Sequence, residues 1–300
     1  MSSMKGKRCA VFSCLGLGDG LIALVLSNNL QRNGYEVDTF HPSLTGLQSF
    51  FPHLPIFSFP EKVGEYDHYF VIYEKTPWML RVLEECPRDS LKILNPIATL
   101  KNDYPYWEVG RFQGDKPFAT NLYIYCRDIL KLKETVRDNG IIGKDGRKYP
   151  KRVVIHPTSS RPGKNWPREK FLELADKLKK EGYEPVFCVS PKEKAEWPEG
   201  RDFPNLAEMA QFVCESGYMV GNDSGIGHLA SSFGLPTVTI CRSPLAGNFW
   251  RPAWAHSEIL YPPQWVPNLK GLRLRDKYWK SWISVNRVLS AWRTLQQESV

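Results

Sequence analysis

Short, almost wholly apolar runs recur along the chain, each handing over to a glycine-rich turn and then to a helical pattern. KRCAVFSC precedes GLGDG and LIALVLSNNLQRNG. RVVIHPT precedes a polar loop and REKFLELADKLKKEG, and YMVGND precedes GIGHLASSFG. A strand without polar alternation is buried on both faces, and strand-helix alternation supplies the cover: a parallel sheet with helices on both sides. YEVDTFHP, HYFVIYE, YEPVFCVS and PTVTICR fit further strands. In REKFLELADKLKKEG, Phe171, Leu174, Ala175 and Leu178 share one helical face and Gly182 ends the helix. Leu206, Met209, Ala210 and Val213 do the same in NLAEMAQFVCESG.

The alternation restarts after DNGIIGKDGRKYPKR, a polar, glycine-rich linker. It predicts two Rossmann-like domains, 1–150 and 151–300, facing one another across a cleft. The last helix, ISVNRVLSAWRTLQQ, is able to pack back on the first domain. NPIATLKNDYPYWEVGRFQGDKPF is expected to be irregular, and NLYIYCRDILKLKETVRDNG helical. Three hundred residues support two cores, and 42% apolar with 24% charged residues fits a soluble globular chain. No run reaches the length of a membrane span, and the start lacks a secretory signal pattern, so a cytoplasmic protein is expected. The seven cysteines, without a C-x-x-C pair, suggest buried thiols rather than disulfides or a zinc site.

Three stretches carry candidate chemistry. GLGDG (16–20) starts like a dinucleotide fingerprint, but Leu21 stands where a third small residue is required, which argues against a nicotinamide or flavin cofactor. What remains is Asp19 at the carboxyl end of the first strand, able to act as a helix N-cap or as a general base. HPTSSRPGKNWP (156–167) offers the hydroxyls of Thr158 and Ser159 and the ammonium of Lys164 ahead of a helix, the makings of an anion site. In GNDSGIGH, Asp223 is followed by Ser224 as N-cap, Gly225 leaves the helix start bare, and His228 lies one turn on, placed to donate to phosphate or to serve the fold. Glu193, beyond the strand YEPVFCVS, fits a ribose-binding acid or a solvent-facing charge.

The formal charge of +8 is uneven. From Tyr261 to Arg293 seven Lys/Arg stand against Asp276 alone, with Trp265, Tyr278, Trp279, Trp282 and Trp292 among them. That region is either a solvated helical face or a surface for anionic lipid, acidic glycan or nucleic acid. The helical spacing of its aromatics and the lack of a recognised motif argue against nucleic acid.

HPTSSRPGKNWPREKFLELADKL, NLAEMAQFVCESGYMVGNDSGIGHLASSFGLPTVTI and FWRPAWAHSEIL resemble, in order and spacing, the lipopolysaccharide heptosyltransferases of glycosyltransferase family 9. GLGDGLIALVLSNNLQRNGYEV is similar to that family's N-terminal Gly-Asp stretch. The resemblance implies the α/β GT-B fold and an inverting, metal-independent transfer from a nucleotide-diphosphate sugar, typically ADP-heptose. It implies a glycan or glycolipid acceptor and no cofactor, and the basic region beyond Tyr261 makes contact with the inner face of the membrane an expectation for a cytoplasmic protein. Carried onto this sequence, Asp19 matches the general base, Lys164 the phosphate-binding lysine, and Thr158 and Ser159 the phosphate hydroxyls. Asp223, Ser224, Gly225 and His228 match the donor motif and Glu193 a ribose acid. SPKE departs from the family's usual Gly-rich turn, and 43–150 carries little resemblance. A sugar-nucleotide-binding protein without transferase activity remains the alternative.

Overall fold

A computed structural model describes residues 6–96, 112–143, 146–270 and 272–298. The chain divides into two compact units, Met1–Ile142 and Gly143–Val300. Most of the stretch expected to be irregular, 97–111, lies outside the described residues.

The first unit carries β1 (Arg8–Phe12), β2 (Glu36–Phe40), β3 (Ile56–Phe57), β4 (His68–Ile72) and β5 (Leu91–Leu94), all parallel in the order β3-β2-β1-β4-β5. This is a Rossmann-like order, whose direction reverses between β1 and β4. On one face Ala10, Phe12, Phe40 and Val71 pack with Met79, Val82 and Leu83 of α2 (Pro77–Glu85). The long helix α1 (Leu17–Arg32) is buried from Gly20 through Leu30. A helix apolar nearly all round needs cover on both sides.

Part of that cover is not the helix expected at 121–140. α3 (Phe118–Ile124) passes into a π turn, Tyr125–Ile129, and the chain then runs irregularly, with Lys131 in the left-handed region at φ 55°. The asparagines of α1 explain the change. Asn29 donates to Val136 O (2.9 Å) and accepts from Val136 N (2.8 Å). Asn33 donates to Glu134 O (2.7 Å) and accepts from Lys133 N (2.9 Å), and Asn28 donates to Asp138 Oδ1 (2.8 Å). Backbone groups that a helix would pair internally are thus taken up by side chains of α1.

The second unit holds β6 (Tyr149–His156), β7 (Glu184–Phe187), β8 (Ser216–Asn222), β9 (Thr237–Ile240) and β10 (Ser257–Leu260). They are parallel in the order β7-β6-β8-β9-β10, the second common doubly wound order, with its reversal between β6 and β8. Its helices are α4 (Arg168–Lys180), α5 (Leu206–Cys214), α6 (Gly225–Ser232), α7 (Pro244–Trp250), the short α8 (Leu274–Lys277) and α9 (Trp279–Trp282), and α10 (Val285–Glu298). The predicted faces of α4 and α5 are inside, except that Leu206 is only partly buried.

α10 packs within this second unit. Val288, Leu289, Trp292 and Leu295 join Phe171, Leu174 and Leu178 of α4 in one core, with Trp292 edge-on to Tyr183 at 4.5 Å. Burying one tryptophan removes roughly 200 Å² from water, worth about 5 kcal/mol. Lys170 Nζ adds bonds to the carbonyls of Lys280 (2.7 Å) and Ile283 (2.9 Å). All seven cysteines are free and buried. Among the described residues no helix is long and apolar enough to cross a membrane.

Candidate functional site

In open α/β sheets ligands bind outside the carboxyl ends of the strands, where the strand order reverses. In the second unit that point lies between β6 and β8, and the two polar loops singled out in the sequence, 157–167 and 223–228, leave those two strands. The backbones meet closely at this end: a Cβ at Gly221 would lie 2.5 Å from His156 O, so only glycine fits there.

One residue that the motif reading passed over holds the loops together. Asn222, the last residue of β8 and 1% exposed, donates from Nδ2 to Pro157 O (2.6 Å) and accepts at Oδ1 from Trp166 N (3.0 Å). Both ends of the loop after β6 are therefore fixed to β8. Trp166 is anchored a second time, from Nε1 to Ile283 O (3.0 Å).

Held in this way, the loop brings Lys164 Nζ to 3.1 Å from Asp223 Oδ2, joining the two segments. Lys164 ends the short 3-10 turn Pro162–Lys164, and its side chain keeps 34% exposure. Ser224 caps α6 by backbone geometry alone, with no side-chain cap bond. Its Oγ and the Nδ1 of His228 are buried, and neither has a hydrogen-bond partner. Burial depresses the pKa of His228, opposed by the Asp223 charge and a bond to the Trp250 backbone, so the ring is neutral. Because the Trp250 carbonyl takes the other N–H, Nδ1 is left as an acceptor. A buried polar atom without a partner costs about 1–3 kcal/mol. Two such atoms, four residues apart at a helix start, mark a place where a polar ligand would complete the bonding.

The other candidates of this unit are bonded within these segments and to the strand ends beside them. Thr158 is 3% exposed, with its hydroxyl 3.4 Å from His156 Nε2 and also bonded to Glu193. Glu193 accepts from Ser190 N (2.7 Å) and Ser190 Oγ (2.8 Å). Burial pushes its carboxyl up, but these bonds and nearby His156 outweigh it and hold the pKa below the ordinary value. His156, its Nδ1 2.8 Å from Cys188 O, is itself held neutral by burial. The Ser159 hydroxyl bonds to Asn165 Oδ1 (2.7 Å). Gly225 opens α6. Arg242, exposed just beyond β9, adds a cation at the same edge of the sheet that the motifs did not include.

In the first unit the equivalent reversal lies between β1 and β4. The N-cap of α1 is Gly16, so Asp19 is not the cap residue. It sits half-buried in the first turn, with its carboxylate folded back so closely that a Cβ at Gly16 would lie 2.4 Å from Oδ2. Two residues absent from the sequence reading shape this loop. Glu74 Oε1 accepts from Leu15 N (3.1 Å), and buried His41, whose Nδ1 accepts from Leu44 N, meets Gly16 O through Nε2 (3.0 Å). Burial raises the Glu74 pKa, and the Leu15 N–H moderates the shift.

Two parallel, doubly wound units with loops gathered at their reversal points define the GT-B type of sugar-transferase fold. Residues 131–262 match the sequence profile of Glycosyltransferase family 9 (heptosyltransferase). Lipopolysaccharide heptosyltransferase 3 of Escherichia coli (strain K12) is 27% identical over 165 residues, 49% of this chain. The matched part spans just under half (46%) of that relative's length. Among solved structures, the family 9 glycosyl transferase from Veillonella parvula DSM 2008 superposes with a TM-score of 0.73 at 17% identity, over 98% of both chains. E. coli heptosyltransferase WaaC with ADP-2-deoxy-2-fluoro heptose gives 0.67 at 14% identity, over 98% of this chain and 100% of that one. The dodecameric, iron-containing glycosyltransferase TibC from enterotoxigenic E. coli H10407 gives 0.62 at 13% identity, over 100% and 79%. Residues 131–262 are thus similar to glycosyltransferase family 9, and the chain shares the fold of these solved structures.

Proposed function

We propose that this chain is an inverting glycosyltransferase that moves a sugar, heptose in the first instance, from an ADP-heptose-like donor to a hydroxyl of a lipopolysaccharide-type glycan. The observation that carries this reading is the pair of orphaned buried atoms, Ser224 Oγ and His228 Nδ1, beside the Lys164–Asp223 pair at the reversal point of the second unit. In the reaction Asp19 takes the proton of the acceptor hydroxyl. The oxygen attacks the anomeric carbon on the face opposite the diphosphate, the old C–O bond breaks, and its electron pair leaves on the diphosphate. Lys164 and the N–H groups at the start of α6 meet that growing charge, with Asp223 holding the ammonium in place before the donor arrives. His228 accepts from a donor hydroxyl and Ser224 bonds to phosphate. Thr158 and Glu193 support the loop. This stabilisation comes from fixed protein groups and needs no metal.

The test uses ADP-heptose and a truncated lipopolysaccharide acceptor. Asp19→Asn is expected to retain donor affinity and lose transfer, and wild-type transfer is expected to survive EDTA. Unfolding of Asp19→Asn together with loss of donor binding would remove the base assignment. Activity abolished by EDTA and restored by an added metal would remove the metal-free step. Donor binding with no transfer to any acceptor would leave a sugar-nucleotide-binding protein.

A further inference from the structure

Large apolar side chains exposed one at a time are ordinary on protein surfaces. Here they cluster. Of the eight exposed among the described residues, Trp265, Leu269, Leu272 and Tyr278 fall in one short segment ahead of α9, with Trp265 74% and Leu269 71% exposed. Leu269 and Leu272 exchange backbone bonds (Leu272 N to Leu269 O 2.9 Å, Leu269 N to Leu272 O 3.2 Å), closing a tight turn with a leucine on each stem and exposed Lys270 between them. The turn stands on a fixed base. Arg275 Nη1 donates to Gln264 O (3.1 Å), Asn268 Oδ1 accepts from Asp276 N (3.3 Å), and Trp265 lies edge-on to Trp282 at 5.6 Å.

The same segment carries Lys270, Arg273, Arg275, Lys277 and Lys280 against the single acid Asp276. A basic surface alone suits any polyanion, and an apolar one alone suits a protein partner. Protruding leucines and a tryptophan set among cations match a surface with negative charge outside and hydrocarbon just beneath it. We propose that the Leu269–Leu272 turn and Trp265 form a docking surface for an anionic lipid bilayer, the leucines and indole entering the interfacial layer while the surrounding lysines and arginines meet lipid phosphates. The tryptophans expected to share this role divide in the structure: Trp279 and Trp292 are buried in the core of the second unit and Trp265 is outside. The docking is independent of the sugar-transfer reading, because it uses no residue of the donor site.

The test is co-sedimentation of the full chain with phosphatidylcholine vesicles, with and without phosphatidylglycerol, at low and high salt. Binding is expected only to the anionic vesicles and is expected to weaken with salt. Each cation lost should lower the partition roughly fivefold, so Lys270→Glu with Arg273→Glu should lower it more than tenfold. Leu269→Ser with Leu272→Ser should release the protein as well, and brominated acyl chains should quench a tryptophan signal that Trp265→Phe lacks. These positions are exposed, so unchanged thermal midpoints certify the variants. Equal binding to neutral and anionic vesicles, no binding to either, or full binding by all the variants would overturn the proposal. So would salt-sensitive binding to RNA or self-association, lost in the same variants, with no affinity for vesicles.

Discussion

Removing the Asn222 carboxamide should damage the second unit more than its single side chain suggests. The residue is 1% exposed and satisfies two buried backbone groups, Pro157 O and Trp166 N, at the two ends of the loop that carries Lys164. Asn222→Ala leaves both without partners. At about 1–3 kcal/mol each the gross loss is about 2–6 kcal/mol, and a water entering the vacated space returns part, leaving about 3 kcal/mol. For a unit of this size that lowers the thermal midpoint by about 6–12 °C. Asn222→Asp should do no better: it keeps an acceptor for Trp166 N but sets a carboxylate oxygen against the Pro157 carbonyl. Scanning calorimetry checks the stability, and titration with ADP-heptose checks the site, where at least a tenfold loss of affinity is expected as the loop moves. A midpoint within about 2 °C of wild type, with donor affinity unchanged, would refute the idea that Asn222 holds the loop.

Lys164→Ala should behave differently, since its side chain is one-third exposed and outside the core. Its turnover should fall 10²–10³-fold, about 2.7–4 kcal/mol, with the midpoint hardly changed; full activity would end its role at the leaving group. Stability should also fall with acid. His41, His156 and His228 have pKa values depressed by burial, so the folded chain keeps them neutral while the unfolded chain protonates them near pH 6.5. The unfolded state binds more protons below that pH. The stability they contribute is therefore complete above pH 6.5 and is lost as the pH falls, by up to about 4 kcal/mol per pH unit for three sites. Glu74, raised by burial, acts in the opposite direction and offsets part of the loss. Unfolding midpoints that stay level from pH 7.5 to about 5.5 would contradict the assignment.

The parallel sheets were within reach of the sequence because strands buried on both faces leave continuous apolar runs, and β1, β6 and β8 are of that kind. The segments now joined at Lys164 and Asp223 were equally visible, since small and hydroxyl residues crowd where a strand meets a helix. Contacts between a side chain and distant backbone leave no periodic trace. Asn222 read as the end of the strand YMVGND, and the apolar spacing of 121–140 is that of a helix. What overrides it is three asparagines a hundred residues earlier, and polar residues inside an otherwise apolar helix were the available signal. Asp19 read as either a cap or a base; Gly16 takes the cap position and the carboxylate folds back over it.

The two reversal points share a construction and differ in charge. Each has one side chain tying a loop to the neighbouring strand: Glu74 to Leu15 N in the first unit, Asn222 to Pro157 and Trp166 in the second. In the first unit the tie is itself a carboxylate, and with burial the charges of Asp19 and Glu74 together drive the Cys14 thiol far above its usual range. A diphosphate placed there would meet like charge. In the second unit the tie is a neutral amide, and the loop it holds carries Lys164, paired with Asp223. Under the proposed function, the carboxylates at one edge and the ammonium with bare amides at the other would favour an anionic donor in the second unit. The first would then serve an uncharged hydroxyl, the group that a base such as Asp19 could activate.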